Sequence, residues 1–376
     1  MDIVTILKAV VKHDASDLFI TAGRPPSLKV NGQLATLTQT PLTEVEARDL
    51  VISTMNDEQK KAFERDKECN YGIDTASAGR FRVSAMFQRN KAAMVLRRVK
   101  ADIPTIEDLG VPEIIKDLSM TKRGLVLFAG ATGSGKSTTL AAMVGYRNQN
   151  STGHILTIED PIEFDHEHGG CVVTQREVGI DTDSYEIALK NSLRQAPDVI
   201  MVGEIRTRET MDYAISFAET GHLCLSTIHS NNANQTMDRV INFFPEDRRD
   251  QLLIDLSLNL KAVVAQRLIP KKDGSGSVVA VEVMLNTPLV SDFIEKGKVS
   301  EIKDVMKRSG ELGMQTFDQA VYDRYKSGEI SYDEALKNAD SVNEVRLMIK
   351  LGAETGEVPD DSDIADLSVQ NEDEMM

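Results

Sequence analysis

The chain has 376 residues, 41% of them hydrophobic, and a formal net charge of -16. That length suits about two to three domains at ~150 residues each, with packed cores. The acidic balance argues against a general nucleic-acid binder, which needs a basic footprint.

Cys69, Cys171 and Cys224 are widely spaced and form no C-x-x-C pair, so neither a disulfide framework nor a four-cysteine zinc site is expected. This fits a reducing compartment. No basic n-region precedes a long apolar core, so no signal peptide is expected. No stretch approaches the ~18 apolar residues of a membrane helix, so membrane association is expected only through a partner.

Residues 1–14 carry Ile3, Ile6, Leu7, Val10 and Val11 at helical spacing and read as an amphipathic helix packed on its own domain. Asp17–Thr21 and Ser27–Val30 alternate as strands. Turns fall at Gly23–Pro26 and Asn31–Gly32, and Asn-Gly favours a tight hairpin. Residues 43–65 have a helical pattern. Residues 79–100 read as two more strands around an Arg89–Lys91 turn, closing a small α+β domain near residue 100. This domain holds Arg80, Arg82, Arg89, Arg97 and Arg98. They are either solvated strand residues or phosphate contacts: a planar guanidinium suits bidentate recognition of phosphate oxygens, and arginines on a closing domain act as fingers. Residues 101–123, with Pro104, Gly110 and Pro112 between short apolar patches, read as a linker with one short helix.

Leu125–Phe128 then reads as a buried strand. It breaks at Ala129–Gly130, and a helix-forming stretch opens near Lys136. Gly130 to Ser137 is G-x-x-x-x-G-K-S, the Walker A phosphate loop, and its place between strand and helix makes the match specific. Gly130, Gly133 and Gly135 let the backbone turn its N–H groups toward phosphate oxygens. The helix adds its positive N-terminal dipole. Lys136 supplies a point charge for the β- and γ-phosphates, and the Ser137 hydroxyl is a ligand for Mg²⁺. Ala131, Thr132, Ser134 and Thr138 complete the nucleotide-binding stretch.

Residues 154–158 form a short strand that runs into Glu159-Asp160-Pro161-Ile162-Glu163. Carboxylates there stand at the carboxyl edge of an α/β sheet, where ligands bind, and one of them can orient or deprotonate a water for attack on the γ-phosphate. Residues 172–178 read as a strand and 184–195 as a helix capped by Ser184 or Asp183. Residues 197–204, PDVIMVGE, are a buried strand closed by Glu204. This is the Walker B pattern, whose acid holds Mg²⁺ through its water shell. A helix at 207–220 ends at Gly221. Residues 221–230, GHLCLSTIHS, form a strand bracketed by His222 and His229. They lack metal-ligand spacing, but an imidazole can hydrogen-bond a phosphate or a carboxylate.

Helices follow at 232–243 and 246–260, then strands at 263–270 and 278–285 around a glycine- and serine-rich turn. From 288 to about 351 the chain is helical in pattern. Residues 352–376 contain nine acids and no Lys or Arg, which predicts a disordered tail. The tail either solubilises the protein or docks a basic partner.

The order Walker A, IEDPIEF, VGEIR, GHLCLSTIH resembles the motif set of the secretion ATPases, in which the second is the Asp box and the last the His box. DASDLFITAGRPPSLKVNGQL and GRFRVSAMFQ are similar to the amino-terminal half of the type IV pilus retraction ATPases, the PilT/PilU family. The resemblance covers residues 1 to about 350 and favours the PilU-type branch. SDFIEKG near 291–297 lacks the Ala-Ile-Arg-Asn-Leu-Ile-Arg signature of the PilT type, and the acidic tail is a PilU-like addition. The four-cysteine zinc site and longer amino-terminal region of the assembly ATPases are absent. Ala196, in LRQAPD, stands where the family usually has Asp.

The resemblance implies an α/β fold: a PAS-like α+β domain (1–100), a linker (101–123), a RecA-like ATPase core (124–285), a helical C-terminal region (286–351) and the acidic tail (352–376). It implies a homo-hexameric ring that binds ATP and Mg²⁺, ATP lying between the two domains. Glu163 would act as general base, Glu204 would support Mg²⁺, His222 and His229 would sense the γ-phosphate, and Arg82 and Arg97 would close onto the phosphates. The implied function is pilus retraction in the cytoplasm at the inner-membrane base of the pilus machine. The implied partners are a PilT-like retraction ATPase and the inner-membrane platform protein, with no nucleic acid and no membrane insertion. Pilus assembly, type II secretion and a nucleotide-gated structural subunit are the competing readings.

Overall fold

A computed structural model describes residues 2–354. The acidic tail expected from residue 352 lies almost wholly outside the described residues. The described residues contain two sheets, of six and seven strands, and group into two compact units. One comprises the residues up to Thr105, Ser119–Gly124 and Ser137–Ser226; the other comprises Ile106–Leu118, Leu125–Lys136 and the chain from Thr227.

In the first unit, α1 (Ile3–Lys12), α2 (Glu44–Ser53) and α3 (Asp57–Asp66) accompany an antiparallel sheet. Its strands β1 (Asp17–Thr21), β2 (Ser27–Val30), β3 (Gln33–Thr36), β4 (Glu68–Thr75), β5 (Gly79–Gln88) and β6 (Lys91–Arg98) run in the order β3–β2–β1–β6–β5–β4. Ile6, Leu7 and Val10 of α1 bury with Leu18, Ile20, Phe81 and Leu96 of the strands, as the helical spacing predicts. Two hairpins fix the register. Asn31 and Gly32, and likewise Arg89 and Asn90, take positive φ, the twist that a two-residue hairpin requires. The helical pattern over 43–65 is broken at Thr54–Asn56, where Asn56 caps α3 by accepting the Gln59 N–H at 2.8 Å. β4 was not expected from the sequence: Glu68, Asn70 and Asp74 hide a strand whose only fully buried side chain is Tyr71.

The same unit carries four parallel strands: β8 (Gly153–Glu159), β9 (Cys171–Glu177), β10 (Val199–Val202) and β11 (Leu223–Ile228). They stand in the order β9–β8–β10–β11. β10 and β11 are buried at every position, as strands covered on both faces must be. Crossover helices α5 (Lys136–Asn150), α6 (Tyr185–Ser192) and α7 (Arg208–Glu219) complete the α/β layers. Ser184 caps α6.

The second unit holds β7 (Gly124–Ala129), parallel to β12 (Leu260–Pro270), which pairs antiparallel with β13 (Ser277–Leu285). Around them lie α4 (Ile114–Met120), α8 (Ala233–Asn242), α9 (Glu246–Asn259), α10 (Pro288–Glu295), α11 (Ile302–Arg308), α12 (Phe317–Lys326), α13 (Tyr332–Asn338) and α14 (Val342–Glu354). No helix among the described residues is long and apolar enough to cross a membrane.

Candidate nucleotide site

β7 is wholly buried and delivers the chain into the phosphate loop. Gly130, Gly133 and Gly135 take φ of +148, +79 and +89, where side chains are strained. A Cβ on Gly130 would also overlap Ser134 Oγ and come within 2.6 Å of the Gln266 carbonyl. α5, fifteen residues long, begins at Lys136, so its unsatisfied N–H groups open at the loop. Lys136 is buried, and its Nζ donates to the carbonyls of Gly130 and Ala131 at 2.8 Å each. Ser134 Oγ is buried without a hydrogen-bond partner. Ala131, Thr132 and Gly133 are exposed, and Ser137 and Thr138 are half-buried on the first turn of α5. A turn of N–H groups, an ammonium and an unsatisfied hydroxyl fit the phosphates of a nucleotide.

No group of three or more His, Cys, Asp or Glu that could hold a metal is present among the described residues. Mg²⁺ does not need such a group, because it keeps several waters and is held largely through substrate phosphates; the half-buried Ser137 hydroxyl and the Glu204 carboxylate are oxygen donors of the type it takes.

Gly130 and Ala131 line a cavity of about 630 Å³ together with His229, Asn231, Gln235 and Arg239. His229 therefore joins the phosphate loop. His222 does not line this cavity. It precedes β11 while His229 follows it, a separation of roughly 20 Å at the rise of an extended strand. The His222 ring stands instead 3.1 Å from Thr220 Oγ1 and 3.2 Å from the Phe217 carbonyl.

In the first unit the acids of the Asp box divide by environment. Glu159, the last residue of β8, is buried. Its carboxyl accepts from Thr157 Oγ1 at 2.6 Å and from Gln175 Nε2 at 3.3 Å. Burial pushes it up to about 7, against the pull of those two donors and the Glu163 backbone N–H. The Asp160–Pro161 peptide is cis. Glu163 is exposed on the following loop. Glu177, at the end of β9 and 2% exposed, accepts from the Ile162 N–H at 3.3 Å and pairs with Arg82 Nε at 3.0 Å. Glu204 pairs with Arg206. The Tyr185 hydroxyl is buried without a hydrogen-bond partner. Burial first, then the charges of Asp160, Glu204 and Glu159, raise it above the usual phenol range.

Four of the five arginines stand against carboxylates of the chain. Arg82 and Arg97 stand opposite each other on β5 and β6, an arrangement of like charges that is unfavourable unless it is neutralised. Glu177 takes the first, and Asp17 Oδ1 takes Arg97 Nε at 2.8 Å. Arg80 stands 3.9 Å from Asp181, and Arg98 3.0 Å from Asp14. Arg89 occupies a hairpin turn.

Sequence reasoning weighed the Asp-box acids together and missed Glu177, Tyr185 and Arg206 as members of this cluster. Glu177 closes a short strand as Glu204 does, and that signal could have found it. Tyr185 carried none.

The family profile of type II/IV secretion system proteins matches residues 1–327. The chain is 61% identical to the type IV pilus ATPase PilU of Pseudomonas aeruginosa, over 94% of this chain and 93% of that one. It is 42% identical to the retraction ATPase PilT of the same organism, over 90% and 98%. A crystal structure of the pilus retraction motor PilT with bound ADP superposes with a TM-score of 0.85 at 37% identity, covering 92% of this chain and 99% of that one. The chain belongs to the type II/IV secretion system protein family, on its PilT/PilU branch of pilus ATPases.

Proposed function

We propose that this protein is a motor ATPase that couples ATP hydrolysis to retraction of a type IV pilus, as a PilU-type accessory to a PilT-like motor. The observation that carries the reading is the phosphate loop beside the His229 cavity, in a chain that matches pilus ATPases over nearly its whole length.

The residue roles belong to the same proposal. The loop N–H groups from Gly130 to Gly135, with Lys136, hold the phosphates of ATP, and Thr138 supports the first helical turn. The Ser137 hydroxyl, and Glu204 through water, would hold Mg²⁺, which would supply positive charge to the phosphates. Glu163, exposed on its loop, orients and deprotonates the attacking water as general base. His229 contacts the γ-phosphate. Arg82 and Arg97 leave their carboxylate partners to meet the phosphates as closure proceeds, and Glu177 thereby links Arg82 to the loop that carries Glu163. His222 lies away from the cavity of its own chain, so its share in sensing must come from another arrangement, such as a neighbouring subunit.

The working division of the chain is 1–100, 101–123, 124–285 and 286–351. Six copies form a ring in the cytoplasm, docked on the platform protein at the inner-membrane base. Closure on ATP and reopening after product release change contacts that exist in one state only. Repeated around a ring, this turns hydrolysis into pilus disassembly.

The test is steady-state hydrolysis by the purified chain, alone and with a PilT-like ATPase, beside Glu163→Gln. Turnover that disappears in the variant, with nucleotide binding retained and stimulation by the partner, is the expected result. Wild-type protein that binds ATP but never turns it over would make the chain a nucleotide-gated structural subunit.

A further inference from the structure

The second unit contains a buried carboxylate that none of the roles above uses. Glu282, on β13, is 2% exposed. Its two oxygens hold two different helices. Oε1 accepts the N–H of Ala233, the first residue of α8, at 2.6 Å. Oε2 accepts the N–H of Phe317, the first residue of α12, at 3.3 Å. Helix N-termini present unsatisfied N–H groups and favour negative charge. A carboxylate shared between two of them is satisfied only while the two ends keep their relative position. In the ionised form both oxygens are acceptors only, which suits two N–H donors.

The neighbouring contacts repeat the connection. Arg267 on β12 donates to the Asn231 carbonyl at 3.3 Å and the Asn338 carbonyl at 2.7 Å, pairs with Asp340, and lies 4.0 Å over the Phe317 ring. The Asn232 side chain donates to Asp340 at 3.0 Å. Asp318 on α12, fully buried, accepts the backbone N–H groups of Asp340 and Ser341 at 2.8 and 3.0 Å, and Lys303 pairs with both acids. Residues 229–231 and α8 form the wall of the cavity beside Gly130, while α12 and the 338–341 segment belong to the C-terminal helices. Buried ionic networks cost desolvation and contribute little net stability, so a network that spans these two regions calls for a role beyond stability. Burial and Asp340 push Glu282 up, to about 7, against the helix N–H groups and Lys303.

We infer that Glu282 is a positioning residue that ties the wall of the nucleotide cavity, His229–Asn231 and α8, to α12, so that displacement of the wall by nucleotide is passed to the C-terminal helices. The inference rests on the nucleotide reading of the cavity.

Hydrogen–deuterium exchange on the full chain, with and without ADP and Mg²⁺, tests it. In the wild type, ADP slows exchange in 229–242 and also in 317–326. In Glu282→Gln the first response remains and the second is lost. ADP affinity stays within about threefold, while turnover falls by about tenfold or more, the scale of a lost intersite coupling. A merely structural role would lower stability and leave the response at 317–326 coupled to that at 229–242. Retention of the 317–326 response in the variant, or its absence from a wild type that responds at 229–242, overturns the inference. A wild type with no response at 229–242 removes the nucleotide reading first and this inference with it. If Glu282→Gln does not fold, Arg267→Lys, which keeps the charge and loses the fork, is read by the same criteria.

Discussion

Glu159 shows how burial sets the behaviour of one acid among several in the same motif. Its carboxyl is held up to about 7 from an ordinary value of 4.5. The folded chain therefore binds that proton more tightly than the unfolded chain does. The resulting stability is full below pH 4.5 and is lost as the pH rises through 7. Glu159→Gln keeps the shape and removes the ionisation, so between pH 5 and pH 8 the wild type should lose more urea stability than the variant, by up to about 3 kcal/mol. His166, pushed down to about 4 by burial, acts in both proteins and cancels. Identical pH profiles would show that Glu159 is not the group responsible. Ala196 offers a second case. It stands at φ +49, where its Cβ crowds the following carbonyl oxygen, and it is exposed. Ala196→Gly should raise the denaturation midpoint, by up to about 1 kcal/mol after the entropy of the glycine is counted. A lowered midpoint would mean that the methyl makes a contact worth more than the strain.

Among the elements, the phosphate loop is the one that tolerates least. Gly130 needs both its φ and its missing Cβ, so Gly130→Ala must move Ser134 or the Gln266 backbone. Nucleotide affinity should drop by about tenfold or more while the circular-dichroism spectrum stays that of the wild type, since one distorted cradle loses several N–H contacts at ~1 kcal/mol each. Unchanged affinity would place the phosphates elsewhere. This loop was legible in the sequence because its requirements are local: three glycines, a lysine and a serine between an apolar run and a helix. The two hairpin turns and the first two strands were legible for the same reason. β4 was not. Its alternation is carried by Tyr71 against polar residues, and its place was decided by pairing with β5. The break between α2 and α3 was also hidden, because both flanks keep helical composition.

For the whole molecule, the strongest expectation concerns the segment beyond the described residues. Its eight acids and lack of basic residues give it little to bury. A chain ending at Glu354, the last residue of α14, should keep the wild-type melting temperature and ATP hydrolysis. A fall of several degrees on truncation would show that the acids pack on the body, since ~1 kcal/mol corresponds to about 2–4 °C in a domain of this size class.

From the sequence alone came the phosphate loop, the acids that follow strands, the buried parallel strands and the acidic end, because each is a short pattern whose chemistry depends on neighbours along the chain. Tertiary structure alone decided which members of those patterns meet. It set His229 beside Gly130 and left His222 at the other end of β11. It buried Glu159 and exposed Glu163, four residues apart. It gave Arg82 to Glu177 and Arg97 to Asp17, and it placed Glu282 between two helix ends. These outcomes depend on strand register and on which face of a sheet is covered, and both are fixed by contacts between residues far apart in the chain.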